Sequence, residues 1–316
     1  MFPASVPSQE SPHEAAEPSP GPSPHGRGAT PGRMFIFGLG FSGQAIARRL
    51  AAAGWTVAGT TRSGEAMDLP GVTVHRFGPG HPLDPAALDG VTAVLSSVPP
   101  DPRGDPVLDG MGPAIEACRP DWIGYLSTTG VYGDHDGGWV DETTPVAPSL
   151  DRSRRRAAAE RGWLDRAAHV FRLAGIYGPG RSAIDTVRGG QARRIVKPGQ
   201  VFSRIHVEDI ASAVLASLAR PRPGAIYNLC DDDAAPPQDV IAHACALLGV
   251  EPPAELPWEE AKATLSPMAL GFYADNKRVS NRLMKEELGV RLAYPSYREG
   301  LESILAATIG ARVGPG

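Results

Sequence analysis

A chain of 316 residues with 42% hydrophobic side chains is long enough for one full α/β domain with a smaller lobe attached. Its formal charge of −4 gives no general attraction to polyanions, and the basic cluster Arg152, Arg154, Arg155 and Arg156 has no aromatic residues interleaved, which argues against nucleic acid as a partner. No stretch approaches the roughly 18 consecutive apolar residues of a membrane span, and Cys118, Cys230 and Cys245 are too scattered for a disulfide framework or a zinc site, so the chain reads as cytoplasmic.

The first 31 residues carry eight prolines among Ser, Glu, Gly and His. Burial cannot offset the ordering entropy of such a segment, so 1–32 is expected to be a disordered Pro-rich tail. It also lacks the apolar centre of a secretory signal. Residues 33–37 read as a first strand that runs into a glycine-rich turn. The helix that follows, over 44–53, has Ile46 and Leu50 on one face and stops at Gly54. Strands follow at 56–61, 72–77 and 91–98, the last ended by Pro99 and Pro100, then at 122–127 and 170–173, with an Arg-rich helix over 153–168. Short apolar runs separated by helical patterns imply an α/β fold, a Rossmann-type doubly wound parallel sheet covered on both faces, with ligands at the carboxyl ends of its strands.

Beyond Gly178, turn signals at Pro179-Gly180, Gly189-Gly190 and Pro198-Gly199 separate short segments. A strand end and helix resume over 205–218, a strand over 225–229, and amphipathic helices over 240–248 and 280–288. The expected organisation is a nucleotide-binding domain over 33–178, a first segment of a small substrate-binding lobe over 179–204, a return to the nucleotide domain over 205–232, and mainly lobe over 233–316. The substrate would sit between lobe and sheet.

The turn itself is G-x-G-x-x-G. Gly38 permits the tight turn, Gly40 lets a pyrophosphate approach the backbone, and Gly43 lets the helix pack closely, while the free N–H groups of the helix start, at Phe41 and Ser42, face the phosphates. An NAD site places an Asp or Glu about 20 residues further on, at the end of strand two. Here Thr61, Arg62 and Ser63 stand instead. A guanidinium with neighbouring hydroxyls suits a 2′-phosphate, so the expected cofactor is NADP(H). A solvent-facing arginine with little cofactor preference is the alternative.

Five segments in order, GLGFSG at 38–43, STTGVYG at 127–133, Asp141-Glu142 with Pro145, RLAGIYGPGR at 172–181 and RIHVEDIA at 204–211, resemble the extended short-chain dehydrogenase/reductase superfamily, and within it a divergent bacterial NAD(P)-dependent epimerase-like group. The likeness spans about residues 33 to 305 and implies a nicotinamide-dependent oxidoreductase or epimerase-like activity on a small hydroxyl or carbonyl compound, and a homodimer. It implies no metal, and solvation of the loop explains Asp134, His135, Asp141 and Glu142. Members with standard chemistry use a Ser or Thr in the strand-five motif, matched by Thr128, and a Tyr-x-x-x-Lys pair on the next helix. A gap-free overlay puts Arg152 at the tyrosine position and Arg156 at the lysine position.

An arginine exchanges no proton near neutrality, so Arg152 cannot replace the phenol, although Arg156 can still contact the cofactor ribose and both can attract an anion. Tyr132 and, after it, Tyr177 are the candidate proton donors, beside water held by Thr128. His206 and Asp209 usually brace their loop in the superfamily, and His206 is also a candidate substrate contact. Arg152, Arg181, Arg193, Arg194, Lys197 and Arg204 fall on the expected substrate side and suit an anionic or sugar-nucleotide-like ligand; surface charge balance is the competing account. Two readings stay open: an NADP(H)-dependent enzyme with nonstandard catalytic residues, and a protein that binds NADP(H) without chemistry and acts as a regulator or scaffold.

Overall fold

The computed structural model describes residues 30–312, so the expected tail lies almost wholly outside the described residues. Seven strands form one sheet: β1 (Arg33–Phe37), β2 (Thr56–Thr61), β3 (Val72–Arg76), β4 (Ala93–Ser96), β5 (Trp122–Thr128), β6 (His169–Leu173) and β7 (Ile226–Leu229). All neighbours are parallel, in the order β3-β2-β1-β4-β5-β6-β7. The chain therefore reverses its direction of travel across the sheet between β1 and β4, and that switch opens a crevice over the carboxyl ends of both strands. The fold class is the one read from the sequence.

Burial explains why β1 is an unbroken apolar run. Met34 and Ile36 enter the core on one face while Phe35 and Phe37 enter the core on the other, as the two-residue period of a strand requires. The first face is covered by α1 (Phe41–Ala52) and the later α5 (Val207–Ala219), through Ile46, Leu50 and Val214; the second by α2 (Pro106–Cys118) and α3 (Asp151–Leu164), through Ile115 and Trp163. Asp105 starts α2, its Oδ1 accepting the N–H groups of Val107 and Leu108 with Pro106 in the first turn. The fourth strand is shorter than expected because the Val91 N–H turns back to the Leu88 carbonyl. The helix expected over 153–168 ends at Leu164, where Ala167 takes a left-handed φ of 55°.

A third apolar cluster lies away from the sheet. Ile184 of α4 (Ala183–Arg188), Val240 and Ala244 of α6 (Pro237–Leu248), and Leu301 and Ile304 of the last helix, Tyr297–Arg312, form it with Tyr177. Around it run short parallel pairs: Gly175–Tyr177 with Arg204–His206, Arg194–Val196 with Glu255–Pro257, and Trp139–Val140 with Arg278–Val279. Between the second and third pairs come a helical turn, Trp258–Ala261, which buries Ala261, and α7 (Pro267–Tyr273), which buries no residue.

Candidate active site

The glycine turn is built as a cradle. Gly38 has φ 91°, which favours glycine, and its N–H donates to Thr60 Oγ1 at 3.0 Å while its carbonyl accepts from Ser97 Oγ at 2.7 Å. A Cβ on Gly43 would meet the Gly38 carbonyl oxygen at 2.3 Å, so α1 packs onto the turn only because that residue is glycine. A Cβ on Gly40 would meet nothing within 4 Å, and α1 begins there with no side-chain cap and no acidic residue in its first turn. Its N–H groups are left for an anion. Above them lies a cavity of about 890 Å³ lined by Gly38–Gly40, Thr60–Arg62, residues 77–82 and residues 97–101. Its size and position at the switch of the sheet suit the adenosine end of a dinucleotide.

Arg62 lines this cavity with an exposed side chain and has no ion pair among the described residues. Arg76 lies beside it, Nε donating to the Arg62 carbonyl at 3.2 Å, and Arg103 pairs with Asp101 at 2.9 Å on the same lining. Thr61 also lines the cavity, but its Oγ1 accepts from Gly64 N–H at 2.8 Å; Ser63 lies outside, its hydroxyl accepting from Glu65 N–H. Thr60, Ser97 and the 77–82 loop were not found by sequence reasoning. Pro99-Pro100 beyond β4 and the turn residues Gly78-Pro79-Gly80 were the signals available for that wall.

Arg181 comes to the same place from the lobe side. The bridge between Gly178 and Arg181 makes a tight turn, and the Arg181 guanidinium lies 5.5 Å from the centroid of Phe41, the first residue of α1. That brings an exposed cation, unpaired among the described residues, beside the phosphate cradle. Ser42 is buried in the first turn of α1.

Thr128 ends β5 half-buried, its Oγ1 accepting the Gly130 N–H at 3.1 Å, which leaves its own proton to donate. A Cβ on Gly130 would lie 2.9 Å from Ser153 Oγ, so the first turn of α3 rests on the strand-five turn and carries Arg152 to its edge. The α3 sequence contains neither tyrosine nor lysine. Arg156 is tied to β5, donating to the Leu126 carbonyl at 3.0 Å and to the Tyr125 hydroxyl at 3.3 Å. Arg152 is exposed and lies over Phe272.

Several expected contacts are placed elsewhere. Tyr132 is fully buried, its hydroxyl donating to Asn228 Oδ1 at 2.8 Å and accepting from Arg172 Nη1 at 2.9 Å, with burial pushing its pKa up. That phenol is occupied inside the protein and does not face a substrate. Tyr177 donates to the Ser296 carbonyl at 3.2 Å and is likewise pushed up by burial. His206 is 2% exposed and caps α5, Nδ1 accepting the Glu208 N–H, and burial holds its pKa down at about 4. Its partner in the motif, Asp209, accepts the N–H groups of Ala293 and Tyr294. Arg204 Nη1 is spent on the Phe202 and Ala235 carbonyls at 2.7 and 3.1 Å. Arg194 pairs with Glu255 on the lobe. The corrected groups, Tyr132, Tyr177, His206, Arg204 and Arg194, are each engaged by other groups of the protein, some two residues away and others far along the chain, whereas Asp209 braces a loop as expected.

Sequence reasoning also missed a buried chain of polar contacts under the strand-five turn. Ser127 Oγ donates to Glu160 Oε2 at 2.7 Å, Glu160 pairs with Arg172 at 2.5 Å, and Arg172 reaches Tyr132. Glu142 joins it by accepting the Asn228 N–H at 2.7 Å. An arginine inside the apolar run of β6 was the available signal.

A glycine cradle at the switch of a doubly wound sheet, a hydroxyl at the end of β5 and a lobe above them define a nicotinamide-dinucleotide-binding protein of the extended short-chain dehydrogenase/reductase type. No protein-family model matches the chain. Protein YeeZ of Escherichia coli strain K12 is 31% identical over 283 residues, covering 83% of this chain and 96% of its own. A 3-diazoavenalumate denitrifying reductase of a Streptomyces species is 28% identical over 213 residues, 63% of this chain and 60% of its own. The solved structure of a functionally unknown conserved protein from Silicibacter pomeroyi DSS is 52% identical with a TM-score of 0.81, covering 88% of this chain and 99% of that one. A solved structure named as an NAD-dependent epimerase/dehydratase from Methylobacillus flagellatus shares the fold at 25% identity with a TM-score of 0.69, covering 89% of this chain and 100% of that one. The chain belongs to the family of protein YeeZ, within the epimerase-like group of that superfamily.

Proposed function

We propose that the protein is an NADP(H)-dependent oxidoreductase or epimerase-like enzyme of the cytoplasm, acting on a small, anionic hydroxyl or carbonyl compound. The observation that carries the cofactor choice is Arg62, exposed on the cavity at the end of β2 where an NAD site has an acid. With its adenosine end held there by the glycine turn and Arg62, the cofactor would supply or accept a hydride. Thr128 holds the substrate oxygen through its free hydroxyl proton, and water at Thr128 carries the proton that the missing phenol would have moved. Arg152 and Arg181 supply fixed positive charge on the two sides of the site, and Arg156 steadies the end of β5. The homodimer implied by the resemblance is part of this reading.

The test is titration of the protein with NADPH and with NADH by calorimetry, followed by assay of NADPH oxidation over a panel of aldehydes and ketones. NADPH is expected to bind more tightly, and Arg62→Ala to weaken NADPH roughly 10- to 100-fold while leaving NADH within about twofold. Equal affinities, or an Arg62→Ala variant that keeps its preference, would count against NADP(H). Absence of tyrosine and lysine from α3, with Tyr132 and Tyr177 sequestered, favours a second reading as a cofactor-binding protein without turnover. NADPH oxidation that disappears in Thr128→Val decides for the enzyme; tight NADPH binding with no oxidation across the panel decides for the binding protein.

A further inference from the structure

Beyond the cofactor cavity, a second group of side chains occupies the lobe where it meets the amino end of α3. Phe272 and Tyr273 close α7 and reach different partners. The Arg152 guanidinium lies 4.8 Å from the Phe272 ring centroid, and a Cβ on Gly271 would come within 3.3 Å of its Nη2, so α7 rests on the first turn of α3. Tyr273 meets Trp258 at 5.0 Å and Phe202 at 5.5 Å between ring centroids. Lys197 completes the group, its Nζ 5.2 Å from the Trp258 centroid and donating to the Tyr273 carbonyl at 2.6 Å.

These rings are open to solvent in a way core rings are not. Phe202, Trp258 and Tyr273 are half-buried, Phe272 keeps 59% of its surface exposed, and α7 buries no residue. Neither Arg152 nor Lys197 has a carboxylate partner among the described residues. Of the acids nearby, Asp275 is engaged with Lys277 at 3.4 Å and Ser149 at 2.5 Å, and Asp134 with the Asn276 N–H at 2.7 Å, while Glu260, in the helical turn of Trp258, is exposed. The group thus offers flat apolar faces beside two cations that form no ion pair among the described residues. Rings stack on rings, and a carboxylate is the natural partner of a lysine or arginine held against one.

We propose that this face holds the substrate and that the substrate is a planar aromatic anion. Its ring lies against Trp258 and Tyr273, its carboxylate meets Lys197, and its hydroxyl or carbonyl points toward Arg152 and Thr128. This assignment rests on the reading of the site as one for a hydroxyl or carbonyl compound.

The probe is 4-carboxybenzaldehyde, compared with benzaldehyde, succinic semialdehyde and UDP-glucose. Binding to the full-length protein is measured by calorimetry with and without NADPH, and NADPH oxidation is followed separately. The expected Kd for 4-carboxybenzaldehyde is at least about tenfold below that of each control. Lys197→Met and Trp258→Ala should each raise it roughly fivefold or more, while Lys197→Arg and Trp258→Phe hold it within about twofold and NADPH affinity does not change. Where the alanine variant fails to fold, Lys197→Met against Lys197→Arg carries the test. UDP-glucose or succinic semialdehyde binding as tightly as 4-carboxybenzaldehyde overturns the proposal, as does unchanged affinity in Lys197→Met. Selective binding of the aromatic anion without NADPH oxidation upholds the site and overturns only the enzymatic reading.

Discussion

Removing the Glu160 carboxylate would leave the Arg172 guanidinium buried beneath the strand-five turn with no charged partner. Both side chains are about 4% exposed, so solvent cannot make up the loss. Glu160→Ala is therefore expected to lower the unfolding free energy by about 3–5 kcal/mol, read from urea denaturation, while Glu160→Met with Arg172→Met costs less than the single change. His206 gives a pH signature at the same scale. Its folded pKa of about 4 lies below the ordinary value of 6.5, so the unfolded chain takes up the proton first as pH falls. Its contribution to stability is present above about pH 6.5 and is lost as pH drops toward 4. His206→Asn keeps a capping side chain and removes the titration; the fall in melting temperature from neutral to mildly acid pH should be smaller in that variant than in the wild type. At this scale Gly38, Gly40, Gly43 and Arg62 could be singled out as candidates from neighbours in the chain, and the structure sets Gly38, Gly40 and Arg62 on one cavity. The sequence could not show that Tyr132 is engaged, since the partner of its hydroxyl, Asn228, lies 96 residues away.

The turn between β1 and α1 separates two jobs that glycine performs. Gly43→Ala would push a methyl into the Gly38 carbonyl, so it should destabilise the fold by about 1–3 kcal/mol and also weaken NADPH binding. Gly40→Ala has open space and an ordinary φ of −78°, so stability should hardly change while NADPH affinity falls, because the methyl stands where the pyrophosphate approaches. Thermal melts with and without NADPH distinguish the two; equal loss of stability in both variants would refute the assignment. The long elements were legible for a related reason. A strand such as β1 is buried on both faces and advertises itself as an apolar run. The two-residue pairing of Trp139–Val140 with Arg278–Val279 advertises nothing, because it exists only once the chain has returned from far away.

Across the whole molecule, the two core clusters of the sheet and the third cluster of the lobe are filled from interleaved parts of the chain. Alternation of strand and helix made the sheet readable from end to end. Of the lobe, the helices over 240–248 and 280–288 were readable by their periodicity, but its strands were not, because they are three residues long or fewer and each finds its partner across a long loop. Trp258 and Tyr273, the side chains proposed to hold the substrate, stand on those pieces, so neighbours in the chain could not bring them together in the reading of the sequence.

The lobe pairs Arg194–Val196 with Glu255–Pro257 while the chain between them goes back to complete the sheet with β7. No single cut releases the lobe, and no single splice exchanges it. In a chain threaded this way the lobe cannot be traded as one contiguous module, and altering what it holds means replacing side chains in place over an unchanged thread.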